Sequence, residues 1–300
     1  MYEKETKKIQ KMLEQQDYVA DPEIIMSLYL AKKLQKPLLV EGPAGVGKTE
    51  IAKVMAQAQN TDLIRLQCYE GLDANMALYE WNYQRQLLHI KLQEGGTKSL
   101  QERENSIFSE EFLLKRPLLK AITHSKPPVL LIDELDRSDE EFESFLLEIL
   151  SEWQITIPEI GSIKAKNRPY VILTSNRTRE LSDAVRRRCF YLWMDYPEFF
   201  KELAIVKSKV PNCDLRLAKQ ICIFMELVRT QKLEKIPGIA ETLDWARSLV
   251  TLHQKYLDPK IVETTLGIVF KDKVDVTNVK NSLSNLFEKV ELRFKELPEE

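Results

Sequence analysis

Apolar residues along the chain follow two periods, and where each applies defines a fold. Pro37 to Glu41, Pro128 to Ile132, Tyr170 to Leu173 and Phe190 to Met194 are short, largely apolar runs bounded by polar or turn residues, and Leu63 to Gln67 reads as a further strand. Such runs are expected of parallel strands buried on both faces. Helical spacing intervenes between them. Asp21-Pro22 supplies an N-cap and a first-turn proline ahead of Ile24, Leu28 and Ala31, and this helix ends before Pro37. Ile51, Val54 and Met55 share one face, as do Phe142, Phe145, Leu146, Ile149 and Leu150, with Ser138 and Glu141 spaced as a capping box before them.

Beyond Pro197 the pattern is helical only, over Glu198 to Lys209, Asp214 to Gln231, Glu241 to Gln254 and Val279 to Leu297. The expectation is an α/β, doubly wound parallel-sheet domain over 1–196 followed by an all-helical domain over 197–300. Two departures interrupt the first domain. Residues 71–106 read as an insertion, extended around Trp81-Asn82-Tyr83 and polar from Gln93 onward. Trp153, Ile155 and Ile157 then alternate with polar residues, and Pro158 to Asn167 carries turn chemistry, so 153–167 reads as a hairpin feeding the next core strand.

Composition narrows the chemistry. With 44 Lys and Arg against 46 Asp and Glu, the net charge is -2, which gives the whole chain no attraction to polyanions. Nucleic acid is therefore not an expected partner. Cys68, Cys189, Cys213 and Cys222 show no C-x-x-C pairing, and His89, His124 and His253 lie far apart, so neither a zinc site nor a disulfide framework is expected. No stretch approaches the roughly 20 apolar residues of a membrane span, and the polar N-terminus is not followed by an apolar one, which points to a cytoplasmic protein. The stripe Val279, Leu283, Leu286, Val290 and Phe294 reads as core or subunit packing.

One motif carries most of the functional information. Gly42, Pro43, Ala44, Gly45, Val46, Gly47, Lys48 and Thr49 join an apolar strand to an amphipathic helix that continues through Glu50. A glycine-rich turn there points several backbone N–H groups at the same phosphates, where a Cβ would obstruct approach. Lys48 would reach the terminal phosphates and Thr49 would offer its hydroxyl to Mg²⁺. Asp133-Glu134 ends another buried strand. There the first carboxylate supports the metal ion and the second can take a proton from an attacking water. Asn176 follows a strand and offers an amide to that water or to the γ-phosphate. Arg186-Arg187-Arg188 is a dense positive run before the last strand. Read for function it stabilises transition-state charge; read without further context it is a solvated basic turn.

Taken in order, the glycine loop, Leu130-Leu131-Ile132-Asp133-Glu134-Leu135-Asp136-Arg137, Thr174-Ser175-Asn176, the arginine run and the helical half resemble the AAA+ ATPases, and within them the MoxR family. Tyr69 to Asn75, Tyr79 to Leu88 and Pro237 to Thr242 resemble the CoxD-like branch, which includes the carbon monoxide dehydrogenase accessory ATPase. The likeness runs from about Asp21 to the end of the chain. It implies ATP and Mg²⁺ as cofactors, Gly42 to Thr49 as Walker A, Asp133 and Glu134 as Walker B, and Asn176 as sensor 1. It also implies Arg187 or Arg188 as an arginine finger acting on a neighbouring subunit. The helical half becomes a lid, and the insertion and hairpin are expected to face partners or a central pore. The resemblance further implies a homo-oligomeric ring, a hexamer, that remodels a client protein during metal-cofactor insertion, together with an adaptor bearing a von Willebrand factor A domain. A nucleic-acid motor and a nucleotide-gated scaffold with little turnover are the alternatives on the same fold. One departure stands out. Glu241-Thr242-Leu243-Asp244 places an acid where the family's sensor 2 arginine aligns, leaving Arg247, one turn on, as the candidate.

Overall fold

The computed structural model describes residues 2–92 and 107–297. They group into two compact units. One holds Pro22–Glu41 and Thr49–Trp193 with the start of the chain up to Thr6, and the other holds Lys7–Asp21, Gly42–Lys48 and the residues from Met194 onward.

The first unit is built on a five-stranded parallel sheet. Its strands are β1 (Leu38–Glu41), β2 (Leu63–Gln67), β5 (Val129–Asp133), β8 (Tyr170–Ser175) and β9 (Phe190–Trp193), in the order β2-β5-β8-β1-β9. All five runs expected from the sequence are strands. Their residues alternate between two buried environments, as strand geometry requires. Leu39, Leu130, Ile132, Val171 and Leu173 join one core with Phe142, Leu146 and Ile149, while Leu38, Val40, Leu131 and Ile172 are equally buried outside that core. Helices Pro22–Leu34, Lys48–Gln59, Pro117–Ile122 and Glu140–Glu152 flank the sheet. In register, Gln67 lies beside Asp133, and Glu41 lies beside both Ser175 and Trp193. Functional strand ends are thereby collected along one edge.

Two small sheets lie outside this one. β3 (Tyr79–Trp81) pairs antiparallel with β4 (Leu113–Lys115), and β6 (Gln154–Ile157) with β7 (Gly161–Lys164). The second pair is the hairpin read from the alternation at Trp153, Ile155 and Ile157. Trp153 itself is the left-handed C-cap of the preceding helix, at φ 54°.

Three local readings need correction. Tyr83 is helical, because Asn82 takes the N–H of Arg85 on its side chain and starts the helix Tyr83–Leu92 directly after β3. The part of the expected insertion over 93–106 lies outside the described residues. The helix after β5 is capped by Asp139, which accepts from the N–H of Phe142, whereas the Ser138 hydroxyl turns back to the carbonyl of Leu135. A carboxylate one residue later thus does what the serine was expected to do. The arginine run forms the last turn of a helix, Asp183–Arg188, which favours cations at its carbonyl end.

The second unit contains helices Phe199–Lys209, Leu215–Arg229, Ile239–Thr251, Pro259–Val269 and Lys273–Glu296 around a separate core that includes Val206, Ile221, Phe224, Trp245, Leu266 and Leu286. The predicted stripe from Val279 to Val290 is buried within it. A buried ion pair ties three of these helices together. Arg229 donates to Glu202 through Nη1 at 2.7 Å and Nη2 at 2.8 Å, Glu202 also accepts from the Thr242 hydroxyl at 2.6 Å, and Arg229 Nε donates to the Pro237 carbonyl at 2.9 Å. Removing one partner strands a charge without solvent. Arg229→Ala is expected to lower the unfolding free energy by about 3–5 kcal/mol in denaturant titration, and a loss under about 1 kcal/mol contradicts this account of the unit.

Candidate functional site

The glycine loop lies in the second unit and its conformation depends on glycine at two places. A Cβ on Gly42 would stand 1.9 Å from the Met194 carbonyl oxygen, and Gly45 holds φ 77°. Gly45 is approached closely by Gly238, where a Cβ would come within 2.6 Å of the Gly45 oxygen. The first N–H groups of the helix Ile239–Thr251 use that approach. Ile239 donates to the Gly45 carbonyl at 3.0 Å and Ala240 at 3.4 Å. Lys48 is buried, and its ammonium donates to the carbonyls of Gly42 at 2.8 Å and Pro43 at 2.6 Å. Of the remaining loop residues, Val46 is buried and Ala44 is exposed, and Glu50 pairs with Lys53 at 3.1 Å on the following helix.

In the first unit, three elements converge on Asp133, which is almost wholly buried. Its Oδ1 accepts from the Thr49 hydroxyl at 3.0 Å and the Thr174 hydroxyl at 2.6 Å, and its Oδ2 accepts from Arg65 Nε at 2.9 Å and Nη2 at 2.5 Å. Thr49 and Asp133 are the two expected metal ligands. Their oxygens are hard donors, and 3.0 Å is about the separation of neighbouring ligands in an octahedron with Mg–O near 2.1 Å, so the pair fits Mg²⁺.

Glu134 leaves the strand in the left-handed region, at φ 56° and ψ 49°, with its N–H on the Thr174 hydroxyl. Oε2 accepts from Gln67 Nε2 at 3.0 Å and forms an ion pair with Arg137, whose Nε lies 3.0 Å away, and Oε1 accepts a long bond from Asn176 Nδ2 at 3.5 Å. The structure thus brings Thr49, Asp133, Glu134 and Asn176 together. Gln67, Arg65, Arg137 and Thr174 were not identified from sequence. Gln67 and Arg65 lie on an expected strand, but nothing in a lone sequence gives its register against β5.

The loop after β8 is held by buried carboxylates. Asp136 accepts from the N–H of Asn176 and from both the N–H and hydroxyl of Thr178. Burial alone would raise the Asp136 pKa, but these hydrogen bonds outweigh it and hold the carboxyl below its ordinary 3.8. Glu143, fully buried, pairs with Arg179 and accepts from the N–H of Ser182, the N-cap of the arginine helix. Arg186 is half-buried, whereas Arg187 and Arg188 are exposed.

Two residues of the second unit bear on the expected sensor 2 position. In the segment Glu241-Thr242-Leu243-Asp244, Glu241 accepts from the N–H of Gly238 at 2.9 Å and so caps its own helix. Arg247 is exposed and pairs with Asp244 at 3.3 Å. Burial pushes the Cys68 and Cys189 thiols up to about 12, which leaves neither as a nucleophile near neutral pH.

Comparison with known proteins gives a family and distant relatives. The model of the family described as ATPase family associated with various cellular activities (AAA) matches residues 38–193. An uncharacterized protein of Staphylococcus haemolyticus is 24% identical over 283 residues, covering 92% of this chain and 99% of its own. The chaperone protein ClpB of Chlamydia caviae is 24% identical over 258 residues, covering 78% of this chain and 26% of its own. Among solved structures, a RuvB mutant of Thermotoga maritima is 18% identical, covers 88% of this chain and 70% of its own, and superposes with a TM-score of 0.46. No helix among the described residues is long and apolar enough to cross a membrane.

A group with a lowered folded pKa stabilises most above its unfolded pKa and loses that contribution as pH falls through the folded value. Asp136→Asn is therefore expected to be less stable than the parent at pH 7, with the difference shrinking below about pH 4. A difference that stays constant from pH 7 to pH 3 in thermal unfolding contradicts the role given to Asp136.

Proposed function

The chain belongs to the ATPase family associated with various cellular activities (AAA) and is an ATP-hydrolysing enzyme; from this premise we propose that it is a MoxR-like member whose subunits form a ring, hydrolyse Mg-ATP and remodel a client protein. The observation that carries the reading is the set around Glu134, with Gln67 and Arg137 on one carboxylate oxygen and Asn176 facing the other. Oε2 takes the Gln67 hydrogen bond and the Arg137 ion pair, whereas Oε1 takes the longer 3.5 Å bond from Asn176, so Oε1 is the atom placed to accept a proton.

In the proposed reaction Gly42 to Gly47 cradle the phosphates through backbone N–H groups, and Lys48 exchanges the carbonyls of Gly42 and Pro43 for phosphate oxygens. Thr49 and Asp133 would hold Mg²⁺, which would supply neutralisation of the phosphate charge. Glu134 Oε1 takes a proton from the attacking water as its oxygen bonds to the γ-phosphorus. The bond from that phosphorus to the bridging oxygen breaks, and ADP carries away the electron pair. Asn176 orients the water, and Arg187 or Arg188 of an adjacent subunit meets the charge that develops on the transferred group. The helical residues 197–300 act as a lid, to which Arg247 contributes a cation. The hairpin at 153–167 faces the client or pore.

The client, in this reading, is an enzyme receiving its metal cofactor, reached through an adaptor with a von Willebrand factor A domain. That part rests on the likeness of Tyr79 to Leu88 and Pro237 to Thr242 to the CoxD-like branch. The near-neutral net charge supports a protein client over a polyanion.

An arginine supplied in trans makes turnover depend on assembly. The ATPase rate per subunit is expected to rise at least about tenfold as protein concentration carries the chain from monomer to ring, followed by light scattering, and to be abolished by chelating Mg²⁺. A per-subunit rate independent of concentration and assembly contradicts the ring reading, and strong stimulation by single-stranded DNA favours a nucleic-acid motor instead.

A further inference from the structure

Glu41 is the last residue of β1 and its carboxylate is wholly buried, yet neither oxygen has a hydrogen-bond partner of normal geometry. Two guanidinium groups stand beside it instead, Arg177 Nε and Arg186 Nη2, each at 3.8 Å. Both arginines belong to segments that matter to the proposed reaction. Arg177 follows Asn176, occupies the left-handed region at φ 57°, and lays its guanidinium over the Trp193 ring at 5.8 Å. Arg186 opens the arginine run, and its Nε and Nη2 also lack hydrogen-bond partners. The Tyr191 hydroxyl is raised in pKa first by burial and then by the Glu41 charge.

A carboxylate deprived of water costs several kcal/mol unless cations compensate it. Coulomb attraction at 3.8 Å is strong in a dry site and falls off slowly with distance, so such a pair holds without the fixed geometry of a hydrogen bond. Arg186 is therefore bound to follow Glu41. At the other end of the same helix, Glu143 holds the N-cap Ser182. The helix that carries Arg187 and Arg188 is thus fixed by a buried carboxylate at each end, and one of those carboxylates immediately precedes Gly42 in the chain.

We propose that Glu41 is a positioning residue for the arginine finger: through Arg186 it sets how Arg187 and Arg188 are presented to the neighbouring subunit, and it ties that presentation to the strand leading into its own phosphate loop. The inference rests on the proposed trans reading. Glu41 acts on the neighbour's chemistry and not on that of its own subunit.

Mixing subunits separates the two. Glu134→Gln subunits keep their arginines but lack the base, so they can complete the site of a neighbour that has a base but a misplaced finger. Glu41→Gln alone is expected to lose turnover on the order of 10²-fold, the scale of a roughly 1 Å misplacement, while keeping its affinity for a fluorescent ATP analogue. Mixed equally with Glu134→Gln, it is expected to regain at least about tenfold in rate, as is the R187A/R188A variant mixed in the same way. Arg186→Gln, a change at a partly exposed residue, is expected to behave like Glu41→Gln and carries the test if Glu41→Gln does not fold. Rescue of R187A/R188A without rescue of Glu41→Gln or Arg186→Gln overturns the proposal, as does parental turnover in Arg186→Gln. If mixing rescues none of them, the trans reading itself fails and the proposal with it.

Discussion

A carboxylate removed from water has to be surrounded by donors, and Asp133 shows how much structure that requirement organises. Its two oxygens collect Thr49, Thr174 and Arg65, which come from the helix after the glycine loop, from β8 and from β2. Leaving the charge uncompensated would cost several kcal/mol, so these elements are constrained to one arrangement at the strand ends. The Thr174 hydroxyl does double duty, donating to Asp133 and accepting from the N–H of Glu134. That second bond supports the left-handed backbone of Glu134, an uncommon conformation for a residue with a side chain.

The same logic repeats outward. Asp136 gathers the backbone of Asn176 and Thr178, Glu143 gathers Arg179 and Ser182, and Glu41 stands between Arg177 and Arg186. Each buried acid fixes one stretch of the segment that runs from Asn176 to Arg188. A segment largely outside the sheet is thereby anchored at several points. In the proposed reaction this matters because orientation within fractions of an ångström decides the rate.

Much of the fold was legible because it depends on local period. The five core strands, the hairpin at Ile155 and Ile157, and the helical second half all follow from apolar spacing within one segment. The candidate site was legible where chemistry coincides with a strand or helix end, as at Gly42 to Thr49 and at Asp133-Glu134. What escaped depends on register between strands distant in sequence. Gln67 reaches Glu134 because β2 lies beside β5 with Gln67 opposite Asp133, and Glu41 reaches Arg186 because β1 lies between β8 and β9. The Ser138 cap failed for a smaller reason, since Asp139 is an equally good cap one residue on, and spacing alone does not choose between them.

The central claim is that Glu134, held at Oε2 by Gln67 and Arg137 and only loosely bonded at Oε1 by Asn176, is the base for ATP hydrolysis. Replacing it with Gln keeps the shape and most of the hydrogen bonds but removes the capacity to take a proton. Single-turnover hydrolysis of ATP already bound to the protein tests this most directly, because it separates chemistry from binding. The account predicts that Glu134→Gln retains bound ATP and cleaves it about 10²–10⁴-fold more slowly than the parent; cleavage at the parental rate would contradict it.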